Sequence, residues 1–285
     1  MEVLTTVATM RERSRAWRAA KCRHGFVPTM GYLHEGHMAL VERARANCDV
    51  VTVSIFVNPL QFGPQEDYAR YPRDLDRDLA MLREARVDAV FAPSVAEMYP
   101  EEPLVFVEPT RLSDHLCGAS RPGHFRGVAT VVLKLFNIVQ PDVAYFGEKD
   151  AQQLAIIRRM VRDLNVPVEI VGVPTVRAAD GLALSSRNAY LGPEERAAAP
   201  VLYRALQLAR DRILAGERDP GRVKAAMREC IAAEPQVRID YVEIVDAGSL
   251  QPVERIEGRV LVAVAAFAGP SRLIDNVTVD VPAED

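Results

Sequence analysis

The sequence lacks any apolar run that approaches the roughly 18 residues needed to cross a membrane. The longest such run, residues 260–268, is typical of a buried strand. The N-terminal apolar segments are too short and too charged for a signal peptide. Four cysteines are scattered along the chain without a CxxC pair, which indicates reduced thiols rather than a disulfide framework. We therefore expect a cytoplasmic protein.

Two common nucleotide-binding signatures are also missing. The chain contains no GxxxxGK[ST] sequence, which excludes a P-loop. No GxGxxG opens the first helix of an α/β unit, which weakens a dinucleotide-oxidoreductase hypothesis. The net charge of −4 argues against a protein built mainly to coat nucleic acid. A basic cluster within residues 11–23 alternates with apolar positions and is typical of the solvated face of a helix.

The 285 residues are enough for two domains, and 49% hydrophobic with 26% charged residues is ordinary for a soluble globular protein. Up to about residue 175, strand-like runs alternate with helical patterns, which favours parallel strands joined by helical crossovers. The predicted strands are residues 25–27, 50–57, 88–92, 143–146 and 168–173. The predicted helices are residues 38–47, 75–85, 129–139 and 152–164. We expect an α/β, Rossmann-like domain over residues 1–175.

The pattern changes in the remaining part of the chain, residues 176–285. A single long helix is predicted over residues 191–217, and a second helix is predicted after Pro220. Three strand-like runs follow, at residues 237–245, 259–267 and 273–281. Together they predict a smaller α+β domain with an antiparallel sheet, which we expect to act as a lid. Its first segment, "RAADGLALSSRNAYL", has the composition of a loop, and we expect that loop to overlook a nucleotide site.

The stretch "VPTMGYLHEGHMALVERAR" places two histidines where a helix begins. An apolar run that ends at Pro28 is followed by a Gly-containing turn and then by apolar residues at helical spacing. A helix N-terminus presents unpaired N–H groups and the positive end of a dipole to an anion. We therefore expect His34 and His37 to face a bound anion.

Two other interpretations of these histidines stay open on the residues alone. A zincin needs histidines four residues apart, whereas His34 and His37 are three apart and no third histidine or cysteine follows at useful spacing. Both rings are also compatible with satisfied core histidines. Phosphate contact fits better, because an imidazole N–H stabilises an oxyanion whose charge is growing.

A phosphate site needs more positive charge, and Lys149 in "GEKDAQQ" and Arg187 in "LSSRN" are candidates. Each alone is also compatible with an ordinary surface cation. The turn at Gly147 and the loop with Ser185 and Ser186 favour a functional role. A lysine is a point charge for a triphosphate, whereas an arginine binds two oxygens at once.

Five long segments of the sequence, found in the same order, resemble the pantothenate synthetase (pantoate–β-alanine ligase) family. They are "VPTMGYLHEGH", "SIFVNPLQFGPQEDYARYPRDLDRDL", "RPGHFRGVATVVLKLFNIVQPD", "FGEKDAQQLAIIRRMV" and "DGLALSSRNAYL". The histidine motif by itself is shared with the wider nucleotidylyltransferase superfamily. The resemblance implies an ATP-dependent ligase of pantothenate biosynthesis that uses Mg²⁺ and forms a homodimer in the cytoplasm.

The resemblance implies a reaction in two steps. The carboxylate of pantoate attacks the α-phosphate of ATP, giving pantoyl adenylate and pyrophosphate, and the amine of β-alanine then displaces AMP to form pantothenate. Two other hypotheses remain: an adenylyltransferase of another cofactor pathway that acts on a phosphate-bearing substrate, and a nucleotide-binding regulatory module without catalysis. The joint presence of His34, His37, Lys149 and Arg187 argues against the regulatory module.

The resemblance also assigns site residues. The implied catalytic residues are His34, His37, Lys149 and Arg187. The implied ATP contacts are Met30, Gly31, Tyr32, Leu33, His34, Glu35, Gly36, His37, Gly147, Glu148, Lys149, Asp150, Val176, Leu184, Ser185, Ser186 and Arg187. The implied pantoate contacts are Asn58, Gln61 and Gln153, and Gln61 is also assigned to β-alanine. No metal ligand is assigned.

Taken alone, Gln61 is typical of an amide that caps a loop, and Gln153 of a solvated residue in the first turn of a helix. Neutral amides nevertheless suit a substrate whose carboxylate must stay reactive, because they bind it without neutralising its charge. The segment 61–73, rich in proline, glycine and charge, is a candidate flap that excludes water from an adenylate.

Overall fold

The chain folds into two compact units, seen here in a computed structural model that describes residues 1–64 and 66–281. The first unit contains residues 1–109, 121–148 and 153–174. The second contains residues 110–120, 149–152 and the chain from residue 175 onward. The functional division predicted near residue 175 stays a prediction. No helix among the described residues is long and apolar enough to cross a membrane.

The first unit is built on a six-stranded parallel sheet with the strand order β1-β4-β3-β2-β5-β6. The strands are β1 Glu2–Leu4, β2 His24–Thr29, β3 Val50–Ile55, β4 Ala89–Phe91, β5 Val143–Gly147 and β6 Glu169–Val173. The helices are α1 Val7–Ala19, α2 Glu35–Asn47, α3 Leu75–Glu84, α4 Val95–Met98, α6 His124–Val139 and α7 Ala151–Asp163, of which the first two residues of α7 are counted with the second unit. The central strands are almost continuously buried, as expected for a sheet covered on both faces. The predicted α/β fold class is confirmed.

Two details of this sheet differ from the sequence prediction. Strand β1, of three residues, was not predicted, and it adds an edge strand beside β4. Pro28 was predicted to end β2, but the strand continues to Thr29. From Val27 to Thr29, β2 pairs only with β3, because its pairing with β5 covers Gly25 and Phe26. A proline without an N–H is tolerated where one side of a strand carries no ladder.

The second unit is built on a three-stranded antiparallel sheet of strands β7 Val237–Asp246, β8 Gly258–Ala268 and β9 Ser271–Val281. Its helices are α5 Cys117–Ser120, α8 Pro193–Ala198, α9 Val201–Leu214 and α10 Pro220–Ala232. The predicted α+β character and the three strands are confirmed. The single helix predicted over residues 191–217 was wrong, because the chain breaks at Ala199 and Pro200 between α8 and α9. Proline inside a helix removes a hydrogen bond and clashes with the preceding turn.

His24 is buried in the core of the first unit, where the ring must stay neutral. Its side chain is 3% exposed, its Nε2 lies 2.8 Å from Thr52 Oγ1, and the Trp17 ring packs edge-on against it at 4.8 Å. Burial lowers the pKa of His24 to about 4, against a weaker opposing effect of the Asp142 carboxylate. The unfolded chain therefore takes up a proton near pH 6.5, whereas the folded protein resists it until about pH 4.

We predict that this histidine makes the first unit sensitive to mild acid. Its contribution to stability is complete above pH 6.5 and is lost as the pH falls toward 4. Between pH 7 and pH 5 the loss amounts to about 2 kcal/mol. Urea unfolding followed by the fluorescence of Trp17, the chain's single tryptophan, measures it. Carboxylates titrate in wild type and in the His24→Gln variant alike, so the difference between the two proteins isolates the effect of His24. The free energy of unfolding should fall less in His24→Gln than in wild type. Equal drops in both proteins would contradict the prediction.

Candidate active site

The two histidines at the start of α2 form a reciprocal helix cap. His34 is the N-cap residue, and its Nδ1 accepts the backbone N–H of Gly36 at 3.1 Å. His37 Nδ1 accepts the backbone N–H of His34 at 3.3 Å. A ring nitrogen that accepts an N–H carries no proton, so the proton of each neutral imidazole is on Nε2. The cap therefore fixes both tautomers.

The result is a pair of N–H donors at a helix N-terminus. The two imidazole rings are 4.1 Å apart between centroids, and both are half-buried. Backbone N–H groups, the helix dipole and two Nε2–H groups all favour negative charge. This arrangement suits a phosphate better than a metal, because each Nδ1 accepts a backbone N–H and each Nε2 then carries a proton that a metal-ligating nitrogen must lack.

A buried carboxylate from another helix holds the turn before the histidines. Asp78 on α3 is 1% exposed, and its two oxygens accept the N–H groups of Tyr32 at 2.7 Å and Leu33 at 2.8 Å. Gly31 has a φ of +81°, and a Cβ there would lie 3.0 Å from Asp78 Oδ2. Burial raises the pKa of Asp78, and the two backbone hydrogen bonds oppose that shift. The sequence prediction missed this residue.

Asn58 and Gln61 lie at the carboxyl end of β3, next to β2 in the sheet. Asn58 caps the short turn Pro59–Gln61 by accepting the Leu60 N–H, and it donates to Gln61 Oε1 at 3.2 Å. Gln61 is 9% exposed, and its amide nitrogen donates to Met30 Sδ at 3.2 Å. Gln61 is thus a buried, oriented amide, and the capping residue of this loop is Asn58.

The backbone of Gln61 is held by a second set of polar side chains. The Arg121 guanidinium, which can only donate, contacts His124 Nε2 at 2.9 Å, so His124 Nδ1 carries a proton and donates to the Gln61 carbonyl at 2.8 Å. Arg121 also forms a two-point ion pair with Glu66. Burial opposes ionisation of Glu66, but Arg121 outweighs it and lowers the pKa of that carboxyl.

The predicted flap, residues 61–73, includes residue 65, which lies outside the described residues. In the described part, Glu66 is tied to Arg121, and Phe62 packs against Tyr68 and Tyr71. This segment therefore has defined contacts within the first unit. Its role as a flap stays a prediction.

Gly147 is the last residue of β5, which pairs with β2, and Glu148 follows it. Gln153 is half-buried in the first turn of α7. Glu35 and Gly36 lie in the first turn of α2. The residues predicted around the histidine turn thus follow neighbouring parallel strands, which is where ligands of such sheets bind.

The remaining predicted residues lie in the second unit. Lys149 and Ser185 line one pocket there, together with Asn188 and Asp275. Asn188 Oδ1 is buried and has no hydrogen-bond partner among the described residues. Asp150 follows Lys149, and their side chains are 3.9 Å apart. The pocket therefore presents a cation, a hydroxyl and an amide oxygen from one cluster of residues.

The loop that carries Arg187 is fixed by an ion pair that the sequence prediction missed. Arg177 binds both oxygens of Asp275, at 2.6 and 2.9 Å, and stacks on Tyr203 at 4.2 Å. Asp275 is 4% exposed, so this pair is strongly shielded from water. The N–H of Leu184 bonds the carbonyl of Val176 at 3.0 Å, which closes the loop.

The turn after this loop is capped by Ser185, whose hydroxyl accepts the N–H of Arg187 at 3.3 Å. Ser186 is 7% exposed and begins the short helical turn Ser186–Tyr190. On the other side, Ser271 donates to the carbonyl of Arg187, and Asn276 donates to the carbonyl of Lys149 at 2.8 Å. Strand β9 thus supports both predicted phosphate-binding segments.

Comparison with known proteins decides the family. The family model described as pantoate-beta-alanine ligase matches residues 2–278. The chain belongs to the pantoate–β-alanine ligase family. Among curated family members, the pantothenate synthetase of Moorella thermoacetica is 60% identical over 281 residues, covering 99% of both chains. That of Thermotoga neapolitana is 59% identical over 276 residues, covering 97% of this chain and 99% of the relative.

Solved structures of the pantoate–β-alanine ligase family agree with this fold. Pantothenate synthetase from Thermus thermophilus is 54% identical, with a TM-score of 0.91 over 97% of this chain and 99% of that one. The Francisella tularensis ligase, solved with β-γ ATP and β-alanine, is 34% identical, with a TM-score of 0.82 over 97% of each chain. The family predicted from the sequence is confirmed. The roles of individual site residues stay predictions.

We predict that Asp78 is required for the histidine turn. In Asp78→Asn one acceptor oxygen becomes an NH₂ group that faces a backbone N–H, so the variant should lose about 1–3 kcal/mol of stability. Urea unfolding measures the loss. Asp76→Asn, an exposed carboxylate on the same helix, is the matched control and should be nearly neutral. Equal stability of the Asp78 variant and wild type would show that the carboxylate does not hold the turn.

Proposed function

We propose that this chain condenses pantoate with β-alanine to form pantothenate, with ATP converted to AMP and pyrophosphate through a pantoyl adenylate. The observation that carries the proposal is the reciprocal cap of His34 and His37, which places two N–H donors at the start of α2. Membership in the pantoate–β-alanine ligase family, with relatives near 60% identity over the whole chain, supports the substrate assignment.

In the first step, the leaving group is pyrophosphate, and negative charge grows on its bridging oxygen. The Nε2–H groups of His34 and His37 stabilise that charge together with the N-terminus of α2. Removing one preorganised donor of this kind commonly costs about 3–4 kcal/mol of transition-state stabilisation. Lys149 and Arg187 supply positive charge to the phosphates, and Ser185 and Ser186 supply hydrogen bonds.

Magnesium fits this site as a counter-ion of the triphosphate. Among the described residues no cluster of three or more histidine, cysteine or carboxylate side chains is suited to holding a metal. Mg²⁺ is commonly bound through substrate phosphates, water and one or two carboxylates. Asp150, next to Lys149, is the carboxylate we propose for this contact. The bound ion would neutralise phosphate charge.

Pantoate is proposed to bind the amides of Gln61 and Gln153, with Asn58 supporting the first of them. An arginine would neutralise the pantoate carboxylate and weaken it as a nucleophile, whereas a neutral amide leaves its charge intact. The pantoate hydroxyls are bound by the same amides, which disfavours analogues that lack them.

In the second step the β-alanine amine attacks the acyl carbon of the adenylate, the bond to the phosphate oxygen breaks, and AMP leaves. The adenylate is already activated, so excluding water matters more than acid–base catalysis. We assign Gln61 to β-alanine as well, and residues 61–73 and 176–285 to covering the site. We propose that the reaction takes place in the cytoplasm.

Exchange of labelled pyrophosphate into ATP tests the adenylate directly. Exchange should require pantoate and Mg²⁺ but not β-alanine, because the amine enters after pyrophosphate has formed. Label in the pantoate carboxylate should later appear in AMP, since that oxygen bridges carbon and phosphorus. An adenylyltransferase of another pathway would show no pantoate-dependent exchange. Exchange that depended on β-alanine would overturn the proposed order.

We predict that His37→Asn slows this exchange and the overall reaction at least a hundredfold, with little change in ATP affinity. The Asn oxygen can replace Nδ1 as the acceptor in the helix cap, so the stability of the protein should be retained. The Asn side chain lacks the Nε2–H donor, so the reaction should be slow. The His37→Ala variant loses both the cap acceptor and the N–H donor, so it should be equally slow and also less stable. His115→Ala, in the second unit, is the control. An almost unchanged kcat in His37→Asn would rule out the donor role.

We also propose a homodimer, as the family resemblance implies. Leu104 and Val105 are 90% and 85% exposed, an unusual pair of neighbouring apolar side chains on the first unit. Burial of such a pair against a second copy would remove apolar surface from water.

Light scattering during size exclusion tests this surface. Wild type is expected at twice the chain mass of 31.5 kDa, and Leu104→Lys at the single-chain mass, because a buried lysine without a partner is costly. Leu214→Lys is the matched control, since Leu214 is 55% exposed on the second unit and should not affect assembly. A monomeric wild type would contradict the dimer, and a dimeric Leu104→Lys would place the interface elsewhere.

A further inference from the structure

A directed series of side-chain hydrogen bonds ends at Gln61. The Tyr99 hydroxyl donates to Asn58 Oδ1 at 2.8 Å. Asn58 Nδ2 donates to Gln61 Oε1 at 3.2 Å, and Gln61 Nε2 donates to Met30 Sδ at 3.2 Å. Tyr99 was not among the residues that the sequence singled out.

The direction of this series is fixed by the backbone around Asn58. The carbonyl of Gly127 only accepts, and it lies 3.1 Å from the amide of Asn58, so the atom facing it must be the nitrogen. Asn58 Oδ1 then faces the Tyr99 hydroxyl and the more distant Leu60 N–H at 3.4 Å. The second proton of Asn58 Nδ2 points to Gln61, which must therefore present its oxygen to Asn58.

Burial keeps the first donor of the series protonated, since it raises the pKa of Tyr99 above its usual value. The geometry around Asn58 is also tight. Helix α6 brings Gly127 so close that a Cβ there would lie 2.2 Å from the Leu60 carbonyl. An alternative orientation of the Asn58 amide would place NH₂ against the Tyr99 hydroxyl and oxygen against the Gly127 carbonyl. The second contact is repulsive.

We propose that Tyr99 is a positioning residue for pantoate: its hydroxyl holds the Asn58 amide in the orientation that the Gly127 carbonyl sets, and Asn58 in turn orients the Gln61 amide with its nitrogen toward the substrate. This inference rests on the proposed function, in which Gln61 binds pantoate. A carboxylate offers only acceptors, so the Gln61 amide must present N–H rather than C=O. The Met30 thioether is a weak acceptor, so it competes poorly with a carboxylate for that amide.

Tyr99→Phe removes the hydroxyl and preserves the ring, which lies 6.1 Å from the Phe56 ring and beneath the Lys134 ammonium at 4.9 Å. The expected result is a rise of about three- to tenfold in the KM for pantoate, the effect of one lost hydrogen bond. The kcat at saturating pantoate and the KM for ATP should stay within twofold. Tyr145→Phe is the matched control, because it removes a buried hydroxyl of the same unit that contacts Cys48.

A second measurement does not depend on activity. In ligand-free protein labelled with ¹⁵N at asparagine, the Nδ2 protons of Asn58 should exchange slowly with water, since both are bonded. Tyr99→Phe should accelerate their exchange at least tenfold, whereas Tyr145→Phe should not. Unchanged exchange in Tyr99→Phe would overturn the orienting role of the hydroxyl, whether or not the protein makes pantothenate.

Gln61→Ala separates the remaining outcomes. If Gln61→Ala weakens pantoate binding and Tyr99→Phe does not, the proposed function stands and the role of Tyr99 is wrong. If neither variant affects pantoate, Gln61 does not bind it, and the inference fails with that assignment. If wild type forms no AMP from ATP, pantoate and β-alanine, the proposed function fails, and amide exchange alone decides whether Tyr99 orients Asn58. A fall in kcat with an unchanged KM would also contradict a positioning role.

Discussion

The backbone N–H groups at the start of α2, which the helix itself cannot pair, are the constraint on which the histidine turn depends. Any helix leaves such groups without partners, and most proteins satisfy them with serine, threonine or aspartate. Here two imidazoles do so, and each uses the nitrogen that faces the backbone. The outer nitrogen of each neutral ring therefore carries the proton. One local requirement of helix formation thus determines the tautomer of both neutral imidazoles.

The same logic applies to the amides beside this helix. Buried polar atoms must be satisfied, so each bond in the set formed by Tyr99, Asn58 and Gln61 limits the orientation of the next. Asp78 acts similarly on the preceding turn, where both carboxylate oxygens are occupied by backbone N–H groups. The side chains and backbone groups of the candidate site are thus held in place by hydrogen bonds within the first unit.

The sequence predicted the parallel sheet, the antiparallel second sheet and the histidine turn, because these depend on periodicity and on local capping. It did not predict β1, whose three residues are too few to show a period, or the helix break at Pro200. Asp78 was missed because an acidic residue in an amphipathic helix is normally predicted to face solvent. Its place next to Leu79 and four residues before the buried Leu82 was the available signal. Tyr99 and the pair of Arg177 with Asp275 depend on contacts distant in sequence, which no local pattern shows.

The second unit is assembled from separated pieces of chain, and this affects how it can form. Residues 110–120 and 149–152 belong to it, although the first unit continues between and after them. Gln152, 6% exposed, holds the earlier piece by bonding the N–H of Cys117 and the carbonyls of Leu112 and His115. During synthesis, these pieces leave the ribosome well before strands β7 to β9. The second unit is therefore incomplete until the last hundred or so residues of the chain have been made. A fragment that begins at residue 175 lacks both earlier pieces and cannot form the complete unit.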